Sequence, residues 1–523
     1  MKKICLLAIV LLSVSTLSAG AQGMEDALRY SQQFYVGSAR TMAMGNAFTA
    51  LGGDLGAVSI NPASTALYNC CEFAITGGFQ WDKNSASFAT TEGNYFQKTG
   101  RTVFTLPNIS MVFSMPTGKE TGLVAYTFGF GFNKISNFNT RVGFRGEDSD
   151  TSLLGNIAAN LEGLDNSYLT DENAFYDGYA NNQKILAYDT YLVNPYHDAH
   201  NSYIGATENE WASGGLGVDC ILDKSYDRIQ KGGIYDMAFN FGLNFSDKLY
   251  LGANINVNLV DFTDDLLYTE DGAAPGNYFD SGFKSMKYNY FQETSGAGVN
   301  LQLGAIWVPL NFLRLGASYT TPTIYNLTDR WSEYMASGFD GTTSCKPAES
   351  ESPVLSCDYR VKAPSRLSLG AAVVLGREGL ISFDYERVNY GKTRMADNYS
   401  DFNDSGNSYV DVNKDLSTFC GNTNIFRVGA EWNIFNDFTL RGGFTSHVFN
   451  TPQYQFVSCG IGKRISEHSS LDLAFRTRLK DTYDMLPYDD YCFNDAGVAQ
   501  CLAPVATIEN RAYDILLTYR VKF

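Results

Sequence analysis

The chain contains four histidines, His197, His200, His447 and His468, and they limit the chemistry open to it. Acyl transfer needs a nucleophile beside a positioned base. No Gly-x-Ser-x-Gly occurs, and no histidine falls beside a serine on an inward strand face, so an enzyme is not expected. His197 and His200 frame "HDAH", a pair able to touch a metal or a haem, but two loop histidines suit solvent better. The acidic stretch "DSGNSYVDVNKD" (404–415) lacks the spaced ligands and closing glutamate of a calcium loop and reads as a solvated loop. No metal and no cofactor is expected.

Residues 1–21 carry Lys2 and Lys3, the apolar run "ICLLAIVLLSV" and the small residues Ala19-Gly20-Ala21, the pattern of a secretory signal peptide. Cys5 lies at the start of the apolar run, before its core rather than after it, which argues against a lipoprotein. Nine of the ten cysteines remain after cleavage, in a compartment that permits disulfides. Cys345 with Cys357, and Cys492 with Cys501, are candidate loop-closing bridges. The odd count leaves at least one thiol over, and the adjacent Cys70 and Cys71 make a poor chelating pair.

A net charge of −17 without a basic stripe argues against nucleic acid. At 44% hydrophobic and 14% aromatic the chain is too apolar for disorder. After the leader, no run approaches the roughly 18 apolar residues of a membrane helix.

The element that must position everything else is a repeated strand of about ten residues. In "YDILLTYRVKF", Ile515, Leu517, Tyr519, Val521 and Phe523 share one face while Asp514, Thr518, Arg520 and Lys522 share the other. "LGANINVNLV" alternates Ile255, Val257 and Leu259 with Asn254, Asn256 and Asn258. Fourteen such strands are expected, near 71–80, 102–113, 122–133, 232–244, 248–262, 292–307, 312–320, 358–375, 380–390, 423–434, 438–447, 455–464, 470–480 and 511–523. Their connections alternate between tight turns, such as "NFSDK" and "GREG", and long loops. That asymmetry distinguishes an outer-membrane barrel from a soluble sandwich, and a sheet in lipid must close on itself. The terminal Phe523 reads as a signal to the outer-membrane assembly machinery, and outer-membrane lipid is the other expected partner. The insertion at about 134–231 is helical, with Leu153, Leu154, Ile157, Ala158 and Leu161 on one face and a second helix within "ENAFYDGYANNQKILAYDTYLV".

"GSARTMAMGNAFTALGGDLGAVSINPASTALY" (37–68) resembles the N-terminal hatch of the FadL/TodX family, outer-membrane channels for long-chain fatty acids and other hydrophobic compounds. Asn61-Pro62-Ala63 matches that family's NPA triplet. "GFGFNKISNFN", "ETSGAGVNLQLGAIW" and "LRLGASYTTPTIYNLTD" resemble strand motifs of its Bacteroidetes-type branch. The resemblance implies an all-β fold: a 14-stranded antiparallel transmembrane β-barrel plugged by a small N-terminal helical hatch. Domains are then the leader (1–21), the hatch (22–70) and the barrel (71–523). The implied activity is passive transport of a hydrophobic small-molecule ligand, which displaces part of the hatch and leaves sideways beside the third strand. A non-transporting adhesive or structural barrel and a haem receptor are the alternatives.

The residues themselves add three expectations. Asn61 should cap a short helix begun by Pro62, jointing the hatch. Pro107, placed opposite Phe130 by counting from a turn at Gly118–Lys119 and flanked there by Gly129 and Gly131, marks either a lateral portal or a bulge making room for the hatch. Asp384, Glu386, Arg427, Glu431, Arg441, Asp472, Arg476, Arg478 and Lys480 should give the lumen a mixed-charge wall, so an apolar pocket must lie elsewhere.

Overall fold

The computed structural model describes residues 23–523 apart from 198–199, 212–213, 273, 403–405, 436, 449–453, 480 and 492–500. The leader, Lys480 and Cys492 therefore lie outside the described residues.

Fourteen strands form one antiparallel barrel. They are β1 (Glu72–Thr90), β2 (Gly93–Pro116), β3 (Leu123–Asn137), β4 (Leu222–Phe245), β5 (Leu249–Asp271), β6 (Phe283–Leu310) and β7 (Leu313–Thr320, continued by Thr323–Phe339). Then follow β8 (Leu355–Ala363 and Arg366–Leu375), β9 (Gly379–Asn389 with Arg394–Asp397), β10 (Asn422–Phe435), β11 (Phe438–Val448), β12 (Tyr454–Arg464), β13 (Ser469–Arg478 and Asp481–Met485) and β14 (Val505–Lys522). The last strand pairs with the first from Glu72↔Lys522 to Ala89↔Val505, which closes the wall. Alternation sets the two faces: Asn254, Asn256 and Asn258 are buried inside, whereas Ile255 and Leu259 are exposed outside. Leu303, Trp307, Ile324, Ile381 and Trp432 continue that outer apolar belt. No described helix is long and apolar enough to cross a membrane.

Residues 23–71 lie inside this wall. Helix α1 (Met24–Ser31) precedes an extended stretch, helix α2 (Ala39–Ala43) and two 3-10 turns, Leu55–Ala57 and Pro62–Leu67. So many Gly, Ala and Ser residues cannot build a core, and the segment takes its packing partners from the barrel. α2 is capped by Ser38, whose Oγ accepts from Thr41 N and donates to Asp54 Oδ1 at 2.6 Å.

The strands run well past the apolar belt, which revises three expectations. β1 and β2 meet in the two-residue turn Thr91–Glu92, so their connection is a tall hairpin rather than a long loop. The 134–231 insertion is part strand, because Thr140–Asp148 pairs with Leu222–Gln230. Its second helix is two, α5 (Ala174–Asp177) and α6 (Asn182–Asp189), separated where Gly178 turns left-handed at φ 73° and Asn181 caps anew. α3 (Leu153–Leu161) buries the expected face, and α4 (Ser167–Thr170) completes this cap. The 404–415 stretch is not all loop: α7 (Val410–Phe419) begins within it and buries Leu416 in one cluster with Ala27 and Tyr30 of α1.

Candidate functional site

The joint forms as the local chemistry of Asn-Pro requires. Asn61 is extended at φ −143° and fully buried, and its Oδ1 accepts from Ala63 N at 3.0 Å, with Pro62 in the first helical position. Its Nδ2 donates to Thr49 O at 2.6 Å and points at the carbonyls of Ala305 and Ala317, 3.3 and 3.4 Å away. Asn61 thus joins two turns of the plug to β6 and β7.

The seat under this joint is glycine, a feature sequence reasoning missed. The triplet Leu-Gly-Ala recurs at 251–253, 303–305, 315–317 and 369–371, with Val-Gly-Ala at 428–430. In each the glycine faces inward and the plug lies against it: Pro62 backbone on Gly252, the Asn61 side chain on Gly304, Thr49 backbone on Gly316, the Thr49 side chain and Ala50 backbone on Gly370, and Met44 backbone on Gly429. A methyl at Gly370 would lie 2.8 Å from Thr49 Cβ.

The expected lumen charges form a belt that grips the plug. Arg40 of α2 donates from Nε to Glu431 Oε2 at 2.8 Å and from Nη2 to Oε1 at 3.0 Å. Arg441 bridges Glu431 and Asp472, both at 2.6 Å, and Arg520 donates to Asp472 at 2.6 Å while facing Asp54 of the plug at 3.6 Å. Glu386 accepts from Arg366 at 2.8 Å and Arg427 at 2.6 Å, and Asp384 accepts from Thr49 N. Arg478 is half-buried, and its guanidinium lies over the ring of Tyr454. Such pairs are costly to break singly, because a partner is left buried and unmatched.

The wall is interrupted between β2 and β3. Their ladder runs from Pro116↔Ala125 to Asn108↔Asn133 and stops. Beyond it β2 continues paired to β1 alone, and β3 paired to β4 alone. Pro107 stands at this end, and the β1–β2 register also jumps there, between Thr76↔Asn108 and Gly78↔Thr105. β3 meanwhile buries Asn133, Lys134, Ile135 and Ser136 in succession, and its register against β4 slips between Lys134 and Ser136. Four successive buried residues break the alternation of a wall strand, so β3 turns into the lumen here.

Pro107 does not oppose Phe130. Phe130 pairs with Met111 and packs on Phe239 with ring centroids 5.5 Å apart. The hairpin closes at Pro116↔Ala125, later than a turn at Gly118–Lys119 would allow, and the same register extended sets Lys134 across from Pro107. Gly129 and Gly131 face the plug: a methyl at Gly131 would lie 2.5 Å from Val58 Cγ1, and one at Gly129 3.3 Å from Thr65 Cγ2.

The plug covers the edge that β2 leaves. Phe34 N donates to Ile135 O at 2.7 Å and Val36 N to Lys134 O at 3.1 Å. Ser59 ties in below, accepting from Asn133 Nδ2 at 3.0 Å and donating to Asp236. Asn133 in turn accepts from Asn108 Nδ2 at 2.6 Å. The same extended stretch lines a small pocket with Arg427, His447, Phe456 and Arg476. The Phe34 ring lies 4.9 Å from that of His447 and 5.5 Å from that of Tyr454, and Arg476 Nη1 donates to Tyr35 O at 2.8 Å.

Cys345 and Cys357 do not form the expected bridge. Both thiols are free, and Cys357 Sγ lies 3.8 Å from Tyr409 Oη. Burial in the described residues gathers no group of three or more metal-ligating side chains.

No family model and no curated protein matches the chain. Among solved structures it is similar to a deltaS2 mutant of the TodX monoaromatic hydrocarbon channel, with a TM-score of 0.51 and 15% identity over 93% of this chain and 98% of that one. Similarity to the P. putida toluene transporter TodX has a TM-score of 0.50 and 15% identity, again over 93% and 98%. A Pseudomonas aeruginosa FadL homologue gives a TM-score of 0.48 and 11% identity over 93% and 99%. The chain therefore has the fold of the TodX channels, a closed fourteen-strand antiparallel barrel built around an N-terminal helical segment.

Proposed function

We propose that the protein is an outer-membrane channel for the passive transport of hydrophobic compounds, long-chain fatty acids or similar apolar molecules. A closed wall with an outer apolar belt supports the membrane assignment. The observation that carries the transport reading is the wall break beyond Asn108↔Asn133, covered by the plug residues Phe34 and Val36. Cargo enters from the capped end and reaches the Phe34 ring, whose small pocket is shared by Tyr35, His447 and Phe456 with Arg427 and Arg476. Competition for that pocket lifts Gln33–Val36 from the β3 edge, and cargo leaves sideways between β2 and β3. Asn61 and its glycine seat hold the rest of the plug while this stretch moves. Pro107, Gly129 and Gly131 belong to the portal in this reading: the proline ends the ladder, and the glycines let the plug seal it.

Uptake tests this directly. Cells or liposomes carrying the barrel should accumulate labelled oleate faster than controls. Oleate uptake equal to the control would refute the channel and favour a structural or adhesive barrel.

A further inference from the structure

Six described cations are buried in this molecule, and their partners differ in kind. Lys224 is paired with Asp148, Arg366 and Arg427 with Glu386, Arg441 with Glu431 and Asp472, and Arg476 with Asp514. Lys134, 2% exposed, is the exception. Its ammonium donates to two neutral amide oxygens, Gln80 Oε1 at 3.1 Å and Asn137 Oδ1 at 2.9 Å, and lies over the Tyr235 ring. It forms no direct ion pair among the described residues: the carboxylate that acts on it, Asp514, is reached through Gln80 and is itself paired with Arg476. An ammonium has three donors, and burying it without a counter-charge is expensive. Replacement by a neutral side chain would remove that cost, so stability alone does not account for it.

Its surroundings are built to hold it. Gln80 donates from Nε2 to Asp514 Oδ1 at 2.6 Å, which turns its oxygen toward Lys134. On β4 a methyl at Gly233 would lie 2.8 Å from Lys134 Cε, so the side chain passes where only glycine leaves room. The position is the wall break itself, across from Pro107 in the extended register and beneath the backbone of Val36.

We propose that Lys134 selects cargo at the break, receiving the carboxylate of a hydrophobic acid as it passes from the lumen into the gap. This rests on the channel reading above. The carboxylate supplies the direct ion pair that Asp514, held behind Gln80 and engaged with Arg476, does not, and the hydrocarbon tail follows through the gap toward lipid. A neutral hydrocarbon gains nothing at this point.

The test compares oleate with oleyl alcohol in proteoliposomes containing the full-length barrel. Lys134→Met should lower the ratio of acid to alcohol uptake about tenfold, the worth of one ion pair of modest strength. Asn137→Asp, an isosteric change that gives Lys134 a counter-ion within the protein, should lower the same ratio and keeps the test informative if the Met variant fails to assemble. Lys134→Arg should preserve the ratio. A ratio unchanged in both the Met and the Asp variants would overturn the proposal. So would an equal loss of both cargoes, which would make Lys134 a support of the wall. Failure of the wild-type barrel to pass either cargo would instead overturn the channel reading itself.

Discussion

Single residues here do several tasks at once, and Asn61 shows it most plainly. It caps a 3-10 turn and binds carbonyls of the plug and of two barrel strands. Asn61→Ala should cost about 1–3 kcal/mol of plug seating, the sum of a lost cap and unpaired buried carbonyls, read as increased leak of small solutes in liposome swelling. Asn61→Asp should leak more, since it replaces the donor with an acceptor. The glycine seat gives an independent check. Gly304→Val should unseat the plug because its side chain would occupy the position of Asn61 Oδ1, whereas Gly442→Ala, with nothing within 4 Å, should leave leak unchanged. The Asn-Pro pair made its cap legible in sequence. The seat was legible too, in the recurrence of Leu-Gly-Ala or Val-Gly-Ala on five barrel strands, but the triplet also occurs in the plug at 55–57 and acquires that meaning only when inward faces of different strands are compared. Lys134 was not legible, since its isolation depends on partners that the fold brings from β1 and the end of β3.

At the scale of elements, alternation within a strand was readable because each residue reports its own face. Pairing between strands was less so. The β2–β3 register turned on where a turn closes, and Gly118 and Gly122, both at positive φ, admit a longer turn than the one centred on Gly118–Lys119. A turn centred on Gly118–Lys119 would set Pro107 across from Phe130; the longer turn sets it across from Lys134 and so changes what the break is. The cap behaves as an element of its own. Glu208, buried at its base, accepts from Gly205 N at 2.6 Å, yet burial outweighs that hydrogen bond and pushes its carboxyl up from 4.5 to about 7. The folded cap therefore holds this proton more tightly than the unfolded chain does. Its stabilising effect is full below about pH 4.5 and is lost as pH rises to about 7, with no further change above. The protection of α3 amides, exchange relative to an unstructured amide at the same pH, should fall between about pH 4.5 and pH 7, and Glu208→Gln should remove that fall.

For the whole molecule, strand number and closure followed from rhythm and turns, since lipid leaves no other solution for a sheet. What rhythm could not reveal is that the barrel lacks an independent interior. Its charges are matched by the plug at Arg40 and Asp54, its inward glycines by plug backbone and the Asn61 side chain, and the ladder that stops between β2 and β3 by Phe34 and Val36. Wall and plug are thus one folding unit with a seam at β3. The most direct measurement locks that seam. Tyr35→Cys with Ile135→Cys, in a background with the native cysteines replaced by serine, places two thiols in one apolar cluster, on backbones already tied by Phe34 N to Ile135 O at 2.7 Å and Val36 N to Lys134 O at 3.1 Å. Oleate uptake should fall to the control level when the pair is oxidised and return on reduction; uptake at the same rate in both states would contradict a plug that must move for cargo to pass.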